Sequence, residues 1–97
     1  MYEGEELLEQ GFRLLHAVGR ASINAPAFVN LSYKGNPNSD KWVAFVGKGV
    51  CFDTGGYDIK TGNFFHNSAA GMKSMYLDKH GATSVLSAFE SIVREKL

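Results

Sequence analysis

The amino-acid sequence predicts an α/β fold. Apolar residues recur at helical spacing near both ends of the chain, whereas the middle alternates apolar with polar residues or runs continuously apolar. Eleven of the 97 residues are glycines, and seven of these lie between Gly35 and Gly71; the periodicity is lost from Gly47 to Gly71. The expected order is therefore a helix, two strands, a long loop and a last helix.

The first half of the chain predicts an amphipathic helix followed by a half-buried strand. The helix covers residues 5–20, and Pro26 marks the break after it. Residues 27–33 then alternate apolar and polar side chains, which is the pattern of a strand with one buried face. The apolar positions of the helix are Leu7, Leu8, Phe12, Leu15 and Val18.

The second half predicts a buried strand, an irregular loop and a long helix. Residues 42–46 are continuously apolar, so we expect a central strand covered on both faces. Residues 47–71 show no periodicity, and irregular segments of such length in small domains are more often functional or disordered than simple connectors. Helical spacing resumes at Met72 and continues, with a pause at Gly81, to the end of the chain.

Composition bounds the class of protein. At 97 residues we expect one domain, spanning residues 1–97. Ten basic residues balance ten acidic ones, which disfavours nucleic acid and anionic membranes as partners. The acidic N-terminal residues do not resemble a secretory signal, and no apolar run is long enough to span a membrane, so we expect neither feature. The single cysteine, Cys51, is expected to be a buried structural thiol in a reducing, cytoplasmic compartment.

Candidate chemistry lies where the apolar run of residues 42–46 stops. Lys48, Asp53 and Lys60 follow it, at the sheet edge where α/β proteins bind ligands. Lys48 and Asp53 also have a purely structural interpretation. The Lys48 stem could cover apolar surface, and Asp53 could initiate a turn. Asp78, just before the last helix, could cap its N-terminus.

Two other kinds of site are weakly indicated. The glycines around Lys48 could form an anion-binding loop, but their spacing fits neither a P-loop nor a dinucleotide fingerprint. His16, His66 and His80 form no zinc-type pair, so we expect all three to be non-catalytic.

Residues 46–60 resemble the signature of the leucyl aminopeptidases, the cytosol aminopeptidase family. That signature is Gly-Lys-Gly, two residues, Phe-Asp, Thr or Ser, Gly-Gly, three residues and Lys, and Gly47 to Lys60 match it. Upstream, Tyr33-Lys34-Gly35 is similar to the family's Tyr-Lys-Gly segment. Downstream, residues 72–78 are similar to its Met-x-x-Met-x-x-Asp segment.

The resemblance implies a two-metal exopeptidase that releases N-terminal residues from peptides. It implies that Asp53 bridges two divalent ions, zinc or manganese, and that Lys48 and Asp78 bind one of them. It assigns Lys60 as the catalytic residue that holds the substrate carbonyl. It also implies a three-layer sheet with flanking helices, of which this chain would form part, and assembly into homo-oligomers, which are hexamers in the family.

Three departures from the family pattern affect these expectations. The family's Asn-Thr-Asp-Ala-Glu-Gly-Arg motif, which supplies further site residues, does not occur in these 97 residues. Residues 63–68 resemble an insertion, and Lys79-His80 replace the usual Met-Gly after the metal-binding aspartate. We therefore expect the chain alone to be inactive. The alternative is a truncated or degenerate relative that acts as a structural or assembly component.

Overall fold

The computed structural model describes residues 1–60 and 72–97, apart from the Lys73 side chain. It divides the chain into two compact units, Met1–Tyr33 and Lys34–Leu97. The predicted insertion at residues 63–68 and His66 lie outside the described residues. No helix in the described part is long and apolar enough to cross a membrane.

The first unit is built from two short strands and two short helices. Strand β1 (Tyr2–Glu3) pairs antiparallel with β2 (Ala27–Phe28), and Tyr2 lies opposite Phe28. Helices α1 (Glu6–Glu9) and α2 (Arg13–Gly19) lie between them in the chain. The small apolar centre contains the fully buried Leu7 and the packed rings of Tyr2, Phe12 and Phe28.

The prediction of one continuous helix over residues 5–20 is wrong, because this segment forms the two helices α1 and α2. Gly11 separates α1 from α2 with a φ of +82°, a left-handed conformation that glycine adopts without steric cost. The predicted strand at residues 27–33 is shortened to β2. His16 on α2 is buried, and its Nε2 lies 3.0 Å from the Glu5 Oε1.

The second unit contains a 3₁₀ helix, Met72–Leu77, and helix α3, His80–Glu95. The helical periodicity that resumes at Met72 therefore belongs to two elements instead of one. The residue before α3 is Lys79, and no side chain caps the helix, so the interpretation of Asp78 as an N-cap is wrong. At the other end Lys96 adopts a left-handed conformation, and its N–H bonds to a carbonyl of the last turn.

Two sequence expectations about the middle of the chain are also wrong. Residues 42–46 form no strand and are exposed, with Trp42 63% and Val46 94% accessible. Cys51 is exposed rather than buried. The predicted three-layer sheet is not seen in the described residues, whose strands make one two-stranded sheet in the first unit. This small mixture of helices and strands remains consistent with part of an α/β domain.

Candidate functional site

The loop after residues 42–46 crosses the start of α3 at very short range. The Ala82 N–H donates to the Lys48 carbonyl at 2.8 Å. A Cβ on Gly47 would lie 2.5 Å from the Gly81 oxygen, and one on Gly81 would lie 2.9 Å from the Lys48 nitrogen. A side chain at either position would collide with backbone atoms, so glycine is needed at both. The crossing fixes the Lys48 backbone against α3.

A turn following Asp53 brings Lys60 back to it. The Lys60 N–H donates to the Thr54 carbonyl at 2.8 Å, and Gly55 and Gly56 adopt φ values of +90° and +80°. The Gly55 N–H also donates to the Asp53 Oδ1 at 2.9 Å. As a result the Lys60 Nζ lies 2.8 Å from the same carboxylate oxygen, and both side chains are about one-third exposed.

Met75 of the 3₁₀ helix joins this turn to the segment that carries Asp78. It is one of two buried apolar residues in the described chain, with 6% exposure. Its Sδ lies 3.2 Å from the Lys60 Nζ and 3.5 Å from the Asp53 backbone nitrogen. The Met75 carbonyl accepts a hydrogen bond from the Asp78 N–H at 2.9 Å.

The second lysine–carboxylate pair is looser than the first. The Lys48 Nζ lies 3.5 Å from the Asp78 Oδ2, and the Lys48 side chain is 63% exposed. An ion pair this open to solvent contributes little to stability, about 0–1 kcal/mol. Its significance is therefore positional: it brings a lysine and an aspartate from distant segments to one place.

The Asp53 carboxyl is the titratable group that this arrangement perturbs. The hydrogen bond from the Lys60 ammonium is the main cause that lowers the pKa of Asp53. The Gly55 N–H and the positive charge of Lys48 lower this pKa further, whereas partial burial opposes them. Asp53 is thus held as a carboxylate in contact with Lys60.

Removal of the Lys60 ammonium is expected to raise the pKa of Asp53 toward its ordinary value. Because the folded-state pKa is the lower one, the pair stabilises the fold above the ordinary carboxyl pKa. That contribution is lost as the pH falls through the lowered pKa. Carboxyl-detected NMR titration of Lys60→Met measures this shift, with Lys41→Met as the exposed-lysine control. Equal Asp53 titration curves for the wild type and Lys60→Met would contradict the assignment of Lys60 as the cause.

The structure brings the four sequence-predicted site residues into two pairs, Lys60 with Asp53 and Lys48 with Asp78. The two carboxylates offer the hard oxygen atoms that divalent cations accept. No group of three or more His, Cys, Asp or Glu side chains suited to a metal occurs within the described part of the chain. Its donors therefore fit part of a metal site, and each carboxylate now contacts an ammonium.

Met75 is the residue at this site whose contacts the sequence did not indicate. Its position was explained by helical spacing and by the family's methionine segment, both of which leave the direction of the sulfur open. The contact of Met75 with the Asp53 backbone joins segments 22 residues apart, which periodicity does not encode.

Comparison with known proteins places the chain in a family of peptidases. The model of the cytosol aminopeptidase family, catalytic domain, matches residues 1–97. The chain is a member of that family, and the resemblance inferred from the Gly47–Lys60 signature is confirmed.

Curated relatives agree over nearly the whole chain. It is 44% identical over 91 residues to Leucine aminopeptidase 1 of Caenorhabditis elegans, covering 94% of this chain and 17% of that protein. It is 37% identical over 97 residues to a probable cytosol aminopeptidase of Clostridium tetani, covering 100% and 19%. Peptidase B of Photorhabdus laumondii is 42% identical over 88 residues, covering 89% and 19%. The chain thus spans less than a fifth of the length of these relatives, and no solved structure matches it significantly.

Proposed function

We propose that this chain supplies part of the active site of an aminopeptidase that releases N-terminal amino acids from peptides. The observation that carries the proposal is the 2.8 Å contact of Lys60 with Asp53 inside the signature loop. Membership of the cytosol aminopeptidase family supports the reaction class. The names of the relatives, which include leucine and cytosol aminopeptidases, support a peptide substrate and a cytoplasmic location.

In this proposal Asp53, Asp78 and Lys48 hold divalent cations, zinc or manganese. When bound, such ions polarise the scissile carbonyl and activate the attacking water. Asp53 is suited to the task because its carboxylate offers the hard oxygen atoms that divalent cations accept. Lys48 must be neutral to donate a lone pair, and a nearby divalent charge favours that form. A cation at either carboxylate would replace the ammonium that now contacts it.

Lys60 has the opposite electrostatic role in the proposed reaction. It remains protonated and donates a hydrogen bond to the carbonyl oxygen of the scissile peptide bond. This donation stabilises the negative charge that develops on that oxygen when the attacking water oxygen bonds to the carbonyl carbon and the carbonyl π electrons move onto the carbonyl oxygen. The Thr54–Lys60 turn orients the ammonium before substrate arrives, because the Lys60 backbone is held by its own hydrogen bond at 2.8 Å.

Calorimetry and a peptidase assay test this proposal on the same sample. We expect the 97-residue chain to bind Mn²⁺ or Zn²⁺ but to hydrolyse leucine amide no faster than metal alone. The reason is that the described residues offer too few ligands for two ions. Efficient turnover would show that the predicted incompleteness is wrong, and absence of metal binding would contradict the proposed role of the carboxylates.

A structural or assembly role is the second candidate. It is favoured by the exposed apolar segment at residues 42–46, including Trp42 and Phe45, since such surfaces mark contacts with other protein. In that case we expect homo-oligomers, with hexamers as the first candidate, and no metal binding. The nucleotide sequence that follows the Leu97 codon separates the candidates: the missing Asp-Ala-Glu-Gly-Arg run would favour the enzyme, whereas a stop codon would favour the structural role.

A further inference from the structure

The Met75 sulfur lies against the Lys60–Asp53 pair. It is within hydrogen-bond distance of two donors, the Lys60 Nζ at 3.2 Å and the Asp53 N–H nitrogen at 3.5 Å. A thioether is a weak acceptor, yet it carries lone pairs that an alkyl chain lacks. Because Met75 is 6% exposed, water has little access to replace these contacts.

Both donors belong to the pair that the site depends on. The Lys60 ammonium has three N–H groups, and the Asp53 Oδ1 and the Met75 Sδ lie within reach of two different ones. The Asp53 backbone N–H points to the same sulfur, so this one atom contacts the Asp53 main chain and the Lys60 ammonium. A rotation of the Lys60 side chain away from Asp53 would break its contact with the sulfur, and a shift of the Asp53 backbone would break the other.

Met75 is also fixed to the second pair through its backbone. Its carbonyl accepts the Asp78 N–H at 2.9 Å, and the Asp78 carboxylate contacts Lys48. Met75 therefore connects Lys60 and Asp53 to the segment that carries Asp78. An apolar side chain of equal size would fill the same space without holding either donor.

We propose that Met75 is a positioning residue whose thioether sulfur orients Lys60 and Asp53 as hydrogen-bond acceptor, beyond its packing role. The positioned groups acquire a catalytic meaning only under the proposed function. The contacts themselves are independent of it.

The test replaces the sulfur without changing the shape of the side chain. Cys51 permits native ligation of residues 1–50 to a synthetic segment 51–97, so norleucine or selenomethionine can be placed at position 75 alone. Norleucine keeps the length and lacks the acceptor, whereas selenomethionine retains it. The matched control is norleucine at Met72, three residues earlier in the same 3₁₀ helix.

Hydrogen exchange of the Asp53 amide and the NMR signal of the Lys60 ammonium are the readouts. With norleucine at position 75 we expect the Asp53 amide to exchange roughly two- to tenfold faster and the Lys60 signal to move. Selenomethionine should restore both, and norleucine at position 72 should change neither. Unchanged readouts with norleucine at position 75 would overturn the proposal and leave Met75 as an apolar anchor. Since neither readout uses turnover, failure of the proposed peptidase activity would not alter this result.

Discussion

Gly47→Ala is expected to open the crossing between the Lys48 loop and α3. The new Cβ would lie 2.5 Å from the Gly81 oxygen and 2.7 Å from the Ala82 Cα, which are backbone atoms that cannot rotate away. Overpacking of this kind costs about 1–3 kcal/mol. The Ala82 N–H bond to the Lys48 carbonyl should weaken, and Lys48 should lose its contact with Asp78. Amide hydrogen exchange at Ala82 measures the first effect directly.

Gly49→Ala is the matched control for this substitution. The two glycines flank Lys48, but a Cβ at Gly49 would meet only the Ala82 Cβ, at 3.2 Å. That contact asks for a shift of a few tenths of an ångström, so Gly49→Ala should affect Ala82 exchange far less. Equal exchange rates in Gly47→Ala and the wild type would show that the loop and α3 do not cross as described.

The local elements of the fold were predictable, whereas their interruptions and partners were not. The apolar periodicity predicted α3, because a helix depends on residues of its own segment. Gly11 inside the first predicted helix was a readable signal, since glycine is costly in a helix interior. Residues 42–46 have the composition of a buried strand, but a strand exists only when another pairs with it. No described residue does so, and composition alone does not reveal that.

For the site as well, the sequence indicated which residues take part but not which of them contact each other. Residue types and spacing singled out Lys48, Asp53 and Lys60, because charged residues that follow an apolar run in an α/β protein lie where ligands bind. Which lysine pairs with which carboxylate depends on the turn after Asp53 and on the segment between the 3₁₀ helix and α3 that carries Asp78. Cys51 was expected to be buried because its neighbours are apolar. In an irregular segment, however, the burial of a side chain depends on the local backbone path, and the Cys51 side chain is exposed to solvent.

Asp53→Asn is expected to cause the largest loss of divalent-cation affinity of any single substitution in this chain. The amide keeps the size of the side chain and can still accept from the Gly55 N–H, which now bonds the Asp53 Oδ1 at 2.9 Å. It removes the negative charge that the proposed function assigns to both ions. Substitution of groups that only support metal ligands costs about 10–100-fold in affinity, so a direct ligand should cost at least about 100-fold.

The control for charge is Asp58→Asn, which removes one carboxylate from the exposed part of the same turn. A cation attracted merely by the net charge of the loop would respond equally to both substitutions, because long-range attraction counts charges and is screened by salt. A coordinated cation would respond strongly to Asp53→Asn and hardly to Asp58→Asn. Calorimetric titration with Mn²⁺ at two salt concentrations distinguishes these cases. Similar affinities for the two variants would contradict coordination by Asp53, and with it the part that this loop is proposed to have in peptide hydrolysis.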